Sequence, residues 1–194
     1  MKNGPLILIC SFILAAFAGI RVASVSALRP GAFPQAGAAV VEPRVYVSLQ
    51  PVPQRQEFQI AVALKINDEY HMNSHKPTDP YLIPTTLTPA LPAGFELLDT
   101  IYPKGKLEKF AFSPDKPLDV YSGSLILRLR LEAKEAASLG PTTIPMTLRY
   151  QACNQTACLP PVKLPIEAKF ETAPAGTAAR DMHPEIFAAI RPLR

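Results

Sequence analysis

Four stretches of this chain alternate apolar and polar positions with a period of two, the pattern of a strand with one face in a core. Phe58, Ile60, Val62, Leu64 and Ile66 alternate with Gln59, Ala61, Ala63 and Lys65 before Asn67-Asp68 signals a turn. Leu125, Leu127, Leu129 and Leu131 alternate with Ser124, Arg128, Arg130 and Glu132, and Ile126 is the exception. Ile144, Met146, Leu148 and Tyr150 repeat the pattern, as do Val162, Leu164, Ile166, Ala168 and Phe170 against Lys163, Glu167 and Lys169. Shorter candidates at 45–49, 82–88, 95–102 and 118–121 bring the expectation to about eight strands, separated by Pro, Gly and Asn signals. Residues 134–139 read as a single helical turn between two strands. There is no internal repeat.

This spacing predicts an all-β fold, an immunoglobulin-like sandwich of two sheets. The composition agrees: 22 prolines, nine glycines and no tryptophan in 194 residues favour extended segments broken by turns. With 48% hydrophobic and 19% charged residues, the chain supports one domain with its own core.

The ends differ from the middle. Residues 1–27 begin with Lys2, continue as an apolar run and reach small residues at Val25-Ser26-Ala27, the order of a secretory signal. Residues 28–42, rich in Ala, Gly and Pro, read as a disordered linker. The immunoglobulin-like domain is expected over 43–172 and a tail over 173–194, where Pro184 is placed to begin a short amphipathic helix. Cys10 would leave with the signal. So would Lys2 and Arg21, two of the 20 basic residues set against 16 acidic ones, which leaves +2 on the processed chain. That charge, with no basic run interleaved with aromatics, excludes nucleic acid as a partner class.

Export makes the remaining cysteines, Cys153 and Cys158, a candidate pair, because disulfides persist outside the cytosol. Opposite positions on antiparallel strands lie roughly 4.5 to 5.5 Å apart at Cα, within bridging range. A loop this short contributes about 2 kcal/mol at most by loop closure, so the bridge is a weak staple and its placement favours reversible chemistry. The even-numbered positions face the core on both sides of the hairpin, yet Cys153 and Cys158 differ in parity. For both to point the same way the ladder must slip by one residue, and Pro160-Pro161 is where a bulge is easiest. The pair is therefore expected at a sheet margin, open to another protein.

Tyr150-Gln151-Ala152-Cys153 followed by Cys158-Leu159-Pro160-Pro161, together with Tyr70-His71-Met72-Asn73-Ser74-His75-Lys76-Pro77 and Leu82-Ile83-Pro84-Thr85, resembles the N-terminal periplasmic domains of the DsbD thiol-disulfide reductases and the related disulfide bond corrector family. The resemblance covers about residues 43 to 170. It implies an immunoglobulin-like, periplasmic domain that passes reducing equivalents to thioredoxin-fold proteins of the disulfide isomerase or cytochrome c maturation type, and that draws on a membrane electron donor. It implies that Cys158 forms the mixed disulfide and Cys153 resolves it. It also implies a cap loop carrying a phenylalanine, for which Glu108-Lys109-Phe110 fits best and Phe112 is second. Departures are the shorter segment from Asn154 to Ala157, Lys109 in place of an acid, and the lack in these residues of an electron channel or a thioredoxin-like domain.

A phenylalanine flap would keep adventitious thiols from the pair until a partner displaces it. Glu108 beside the pair would raise thiol pKa values, although an exposed carboxylate serves the sequence equally well. Tyr70 and His71 are candidates to line the site, and Tyr150 reads as core.

Two other classes stand beside exchange. One is a secreted β-sandwich binding module in which the hairpin disulfide is purely structural. The other is a metal site using Cys153, Cys158, His71 and His75, but a spacing of four suits a metal only on a helix, and Asn73, Ser74 and Pro77 argue for strand and turn. That reading leaves His71 packed, His75 solvated and no metal bound. No serine nucleophile motif and no phosphate-binding glycine loop occurs, so no cofactor is expected.

Overall fold

The structure is a computed structural model that describes residues 38–187. The expected signal, Cys10, most of the linker and the end of the tail lie outside the described residues. A turn of 3-10 helix at Ala38–Val40 leads into β1 (Val41–Val47), β2 (Leu49–Gln50), β3 (Val52–Pro53), β4 (Gln56–Ile66), β5 (His71–Asn73), β6 (Thr86–Pro89), β7 (Phe95–Ile101) and β8 (Lys106–Phe110). Then come β9 (Ser113–Tyr121), β10 (Ser124–Ala133), β11 (Gly140–Tyr150), β12 (Ala152–Cys153), β13 (Val162–Ala173), β14 (Arg180–Asp181) and a short helix, α1 (Pro184–Phe187).

The sheets assemble as β1-β4-β10-β7 and β3-β13-β11-β6, with a third sheet β12-β5-β9-β8. The four alternating stretches become the long central strands β4, β10, β11 and β13. Their inward positions, from Phe58 to Ile66, Leu127 to Leu131, Ile144 to Tyr150 and Val162 to Phe170, enter one buried cluster. Phe58, Phe95 and Phe170 meet edge to face, with centroids 5.2 to 6.2 Å apart, and join the sheets at one end. Edge-on contact suits rings whose faces are negative and whose edges are positive. The fold is an all-β sandwich, as the period-two pattern predicts.

Leu129 is fully buried in β10 and lies between Ile60 of β4 and Thr100 of β7. Leu129→Ala is expected to cost about 2 to 5 kcal/mol of unfolding free energy, the transfer of the lost methyl groups plus a cavity. Leu139→Ala, at an exposed position, should change it little. Urea unfolding of the two oxidised variants checks the contrast.

The departures have identifiable causes. The expected eight strands become fourteen segments among the described residues because short pieces such as β2, β5, β12 and β14 are made by tertiary pairing. Residues 134–139 form a hydrogen-bonded turn, with Ala137 N–H donating to the Lys134 carbonyl, and no helix. Gly94 abuts that turn with φ at 85°, and a Cβ there would fall 2.4 Å from the Ala137 backbone, so only glycine fits. Of the linker expected over 28–42, the described residues form the 3-10 turn at Ala38–Val40 and the start of β1 at Val41.

Arg128 and Ala61 occupy outward positions of β10 and β4 yet are buried. The described part of the expected tail explains this. β14 pairs with β2, His183 packs edge-on against Tyr46, and the Ile186 carbonyl accepts a hydrogen bond from Arg128 Nη2 at 2.7 Å. The segment from Arg180 to Phe187 thus lies against the first sheet. Among the described residues no helix is long and apolar enough to cross a membrane.

Candidate functional site

Chain leaving both main sheets builds the third one. β4 runs on into β5, β9 precedes β10, and β11 runs on into β12. Among the described strands β12 pairs with β5 alone, where Cys153 stands opposite His71 and Ala152 opposite Met72, and its other side meets the returning chain at Cys158-Leu159. The cysteines therefore sit at a sheet margin.

Cys153 and Cys158 are joined, with S–S 2.03 Å and Cα atoms 3.9 Å apart. They face each other as an isolated antiparallel bridge. Asn154 N–H donates to the Ala157 carbonyl and Leu159 N–H to the Ala152 carbonyl. That bracketing makes the cysteines a non-hydrogen-bonded pair, the kind in which Cα atoms approach more closely, and the 3.9 Å separation lies below even the roughly 4.5 Å of such pairs. The β11–β13 ladder matches Leu148 with Leu164 and Tyr150 with Val162, so its continuation would set Cys153 against Leu159. Cys153 meets Cys158 instead. The ladder has slipped by one residue across Gln151 and Pro160-Pro161.

Asn154 holds the loop in shape. Its Oδ1 accepts from the Thr156 amide, the Thr156 hydroxyl and the Ala157 amide, and Gln151 Nε2 donates to the Leu159 carbonyl. An asparagine directly after the first cysteine was the available sequence signal for this turn, because its side chain readily bonds the backbone two residues on. The result is asymmetric: Cys153 is 1% exposed, whereas Cys158 is exposed.

The segment expected as a cap loop is a strand hairpin. β8 and β9 pair around a two-residue turn at Ala111-Phe112, with a register shift between Glu108 and Phe110. Phe110 is 3% exposed and packs with Leu118, Val120 and Leu82, residues the sequence did not mark for this role. Its ring stacks on His71 at 4.0 Å and 18°, and Phe112 stacks on Phe110 at 5.4 Å and 11°. Three near-parallel rings thus lead from the hairpin tip to the residue opposite Cys153. Phe112, the outermost, is 41% exposed.

His71 is 4% exposed, and its Nε2 is buried with no hydrogen-bond partner. Burial pushes the imidazole pKa down, and the nearby charge of Glu108 opposes that. Glu108 is half-buried and accepts from the Ser122 hydroxyl at 3.4 Å. Tyr70 packs against the main core, and Tyr150 is fully buried, its phenol pushed up to about 12 by burial.

His75 is not solvated. It lies flat on Tyr102 at 3.6 Å and 3°, with Nδ1 3.1 Å from the Thr85 carbonyl. The four residues considered as metal ligands are thus engaged differently: two sulfurs in a covalent bond, one imidazole on Phe110 and the other on Tyr102. Among the described residues no group of His, Cys, Asp and Glu is arranged to hold a metal ion.

The family model for the N-terminal region of the thiol:disulfide interchange protein DsbD matches residues 38–168, more than half of the chain. Among solved structures, the reduced DsbD N-terminal domain of Neisseria meningitidis is similar at 16% identity, covering 75% of this chain and 92% of that one, with a TM-score of 0.40. No curated protein matches the sequence.

Proposed function

The chain belongs to the family of DsbD N-terminal, thiol-disulfide interchange domains, and from that premise we propose that it carries reducing equivalents in the periplasm through reversible opening of Cys153–Cys158. The observation that carries this reading is the unequal exposure of the two sulfur-bearing residues.

Exchange needs a thiolate to reach one sulfur in line while the other leaves. In the oxidised chain a donor thiolate attacks Cys158 and Cys153 departs as a thiolate. A second donor thiol then releases Cys158, so the donor becomes a disulfide and the chain a dithiol. In the forward step Cys158 attacks the disulfide of a partner, and Cys153 then attacks Cys158, restoring the internal bond and freeing two partner thiols. The partners are thioredoxin-fold proteins of the disulfide isomerase or cytochrome c maturation type, and a membrane protein supplies the electrons. Protein-disulfide reductase is the enzymatic description of this cycle. No cofactor or metal enters it.

A redox titration tests the proposal. Equilibration with dithiol buffers, read by alkylation of the free thiols, should give a midpoint above about −300 mV, within reach of exchange with thioredoxin-fold partners. A midpoint well below that value would mark the bond as structural and the chain as a binding module.

A further inference from the structure

We propose that His71 is the proton acceptor for Cys153 when that thiol resolves the mixed disulfide. The inference rests on the exchange reading above and adds a residue to it. Cys153 and His71 are directly opposite on β12 and β5. Cross-strand partners of this kind project from the same face of a sheet, with Cβ atoms roughly 4.5 to 5.5 Å apart. The imidazole is therefore the side chain set beside the buried sulfur.

The chemistry gives it work. Cys158 can lose its proton to water because it is exposed, but Cys153 is buried and must become a thiolate where water is scarce. His71 Nε2 is a buried nitrogen without a hydrogen-bond partner while the disulfide is closed. Buried polar atoms are nearly always partnered, so an orphan beside a redox pair points to a partner present in the other redox state. Opening the S–S bond creates that partner, the Cys153 thiol. During resolution the S–H proton passes to Nε2, the Cys153 thiolate bonds to Cys158 Sγ, and the sulfur of the partner protein leaves with the electron pair. The imidazolium then returns its proton to the departing thiolate or to water. Among the described residues, the titratable groups bearing on the ring are Glu108 of β8, whose charge favours the imidazolium, and Cys153 of β12, and Phe110 covers one face without charge.

The test uses the reduced protein and the chromogenic aryl disulfide dithionitrobenzoate. Attack by Cys158 releases one coloured thiolate and resolution by Cys153 releases a second, so the two steps are read separately. His71→Phe, which keeps a ring against Phe110, is expected to leave the first release unchanged and to slow the second on the order of 10²-fold near neutral pH. The gap should close as pH rises and hydroxide takes over deprotonation, a trend that a packing role would not produce. A second release equal to that of the wild type across pH would overturn the inference and leave exchange standing. A wild-type chain that never gives a second release would remove exchange itself, and this assignment with it. A measurement without variants also decides: in NMR titrations of the wild type, the His71 imidazole should have a lower midpoint in reduced than in oxidised protein, because the Cys153 S–H then donates a hydrogen bond to the neutral ring. Equal midpoints would sink the proposal.

Discussion

Cys153→Ala is expected to accumulate a covalent adduct with thioredoxin-fold proteins in the exported compartment, and Cys158→Ala to form none. The first variant keeps the exposed sulfur and loses the resolving one, so Cys158 attacks and the mixed disulfide has no internal exit. The second keeps only a sulfur that is 1% exposed, screened on the side of β5 by His71 and Phe110. The contrast is all or none. Non-reducing electrophoresis followed by mass spectrometry reads it, and equal adduct from both variants would show that exposure does not choose the attacking cysteine. Both variants should remain folded. The bond closes a loop of few residues, so its loss costs about 2 kcal/mol at most, and the main core is built elsewhere.

Phe110→Ala should open Cys153, the covered half of the pair, to small thiols. Cys158 is exposed already, so what the β8–β9 hairpin gates is attack at Cys153, and the rate of that route follows the population of the lifted state. Burying a phenylalanine side chain contributes about 1.5 to 3 kcal/mol, and each 1.4 kcal/mol is tenfold in a population, so attack by glutathione at Cys153 should quicken by roughly 10- to 100-fold. Global stability should fall by about 3 kcal/mol, because the side chain leaves a gap among Leu82, Leu118 and Val120. Phe112→Ala, at the tip and 41% exposed, serves as the comparison and should change both quantities far less. An unchanged rate of glutathionylation at Cys153, located by mass spectrometry, would remove the cap from the account.

The two predictions rest on parts of the site that differ in how readily they are read from sequence. The hairpin was legible because parity is arithmetic: the ladder runs through Tyr150 and Val162, and two cysteines of unlike parity can meet only after a slip of one. Phe110 became a candidate through the resemblance to a family and not through any local pattern, since Lys104 to Ser113 carries no clean period. The strand form of that segment comes from pairing with β9. His75 was misread because Asn73, Ser74 and Pro77 describe a turn, and nothing local tells of Tyr102, which is 27 positions away and stacks on the ring. Arg128 looked like a surface cation of an alternating strand, and it is buried because the carbonyl of Ile186 arrives from the far end of the chain.

Local chemistry alone decided which faces of β4, β10, β11 and β13 turn inward and that the two cysteines meet, because side-chain alternation along a strand and a short hairpin depend only on neighbours in the chain. Which sulfur is covered, which ring lies against His71 and what leaves its Nε2 without a partner were decided by segments brought together from distant positions. Those contacts follow from the pairing of β5 with β9 and β12, and pairing between remote strands leaves no periodic trace in either one.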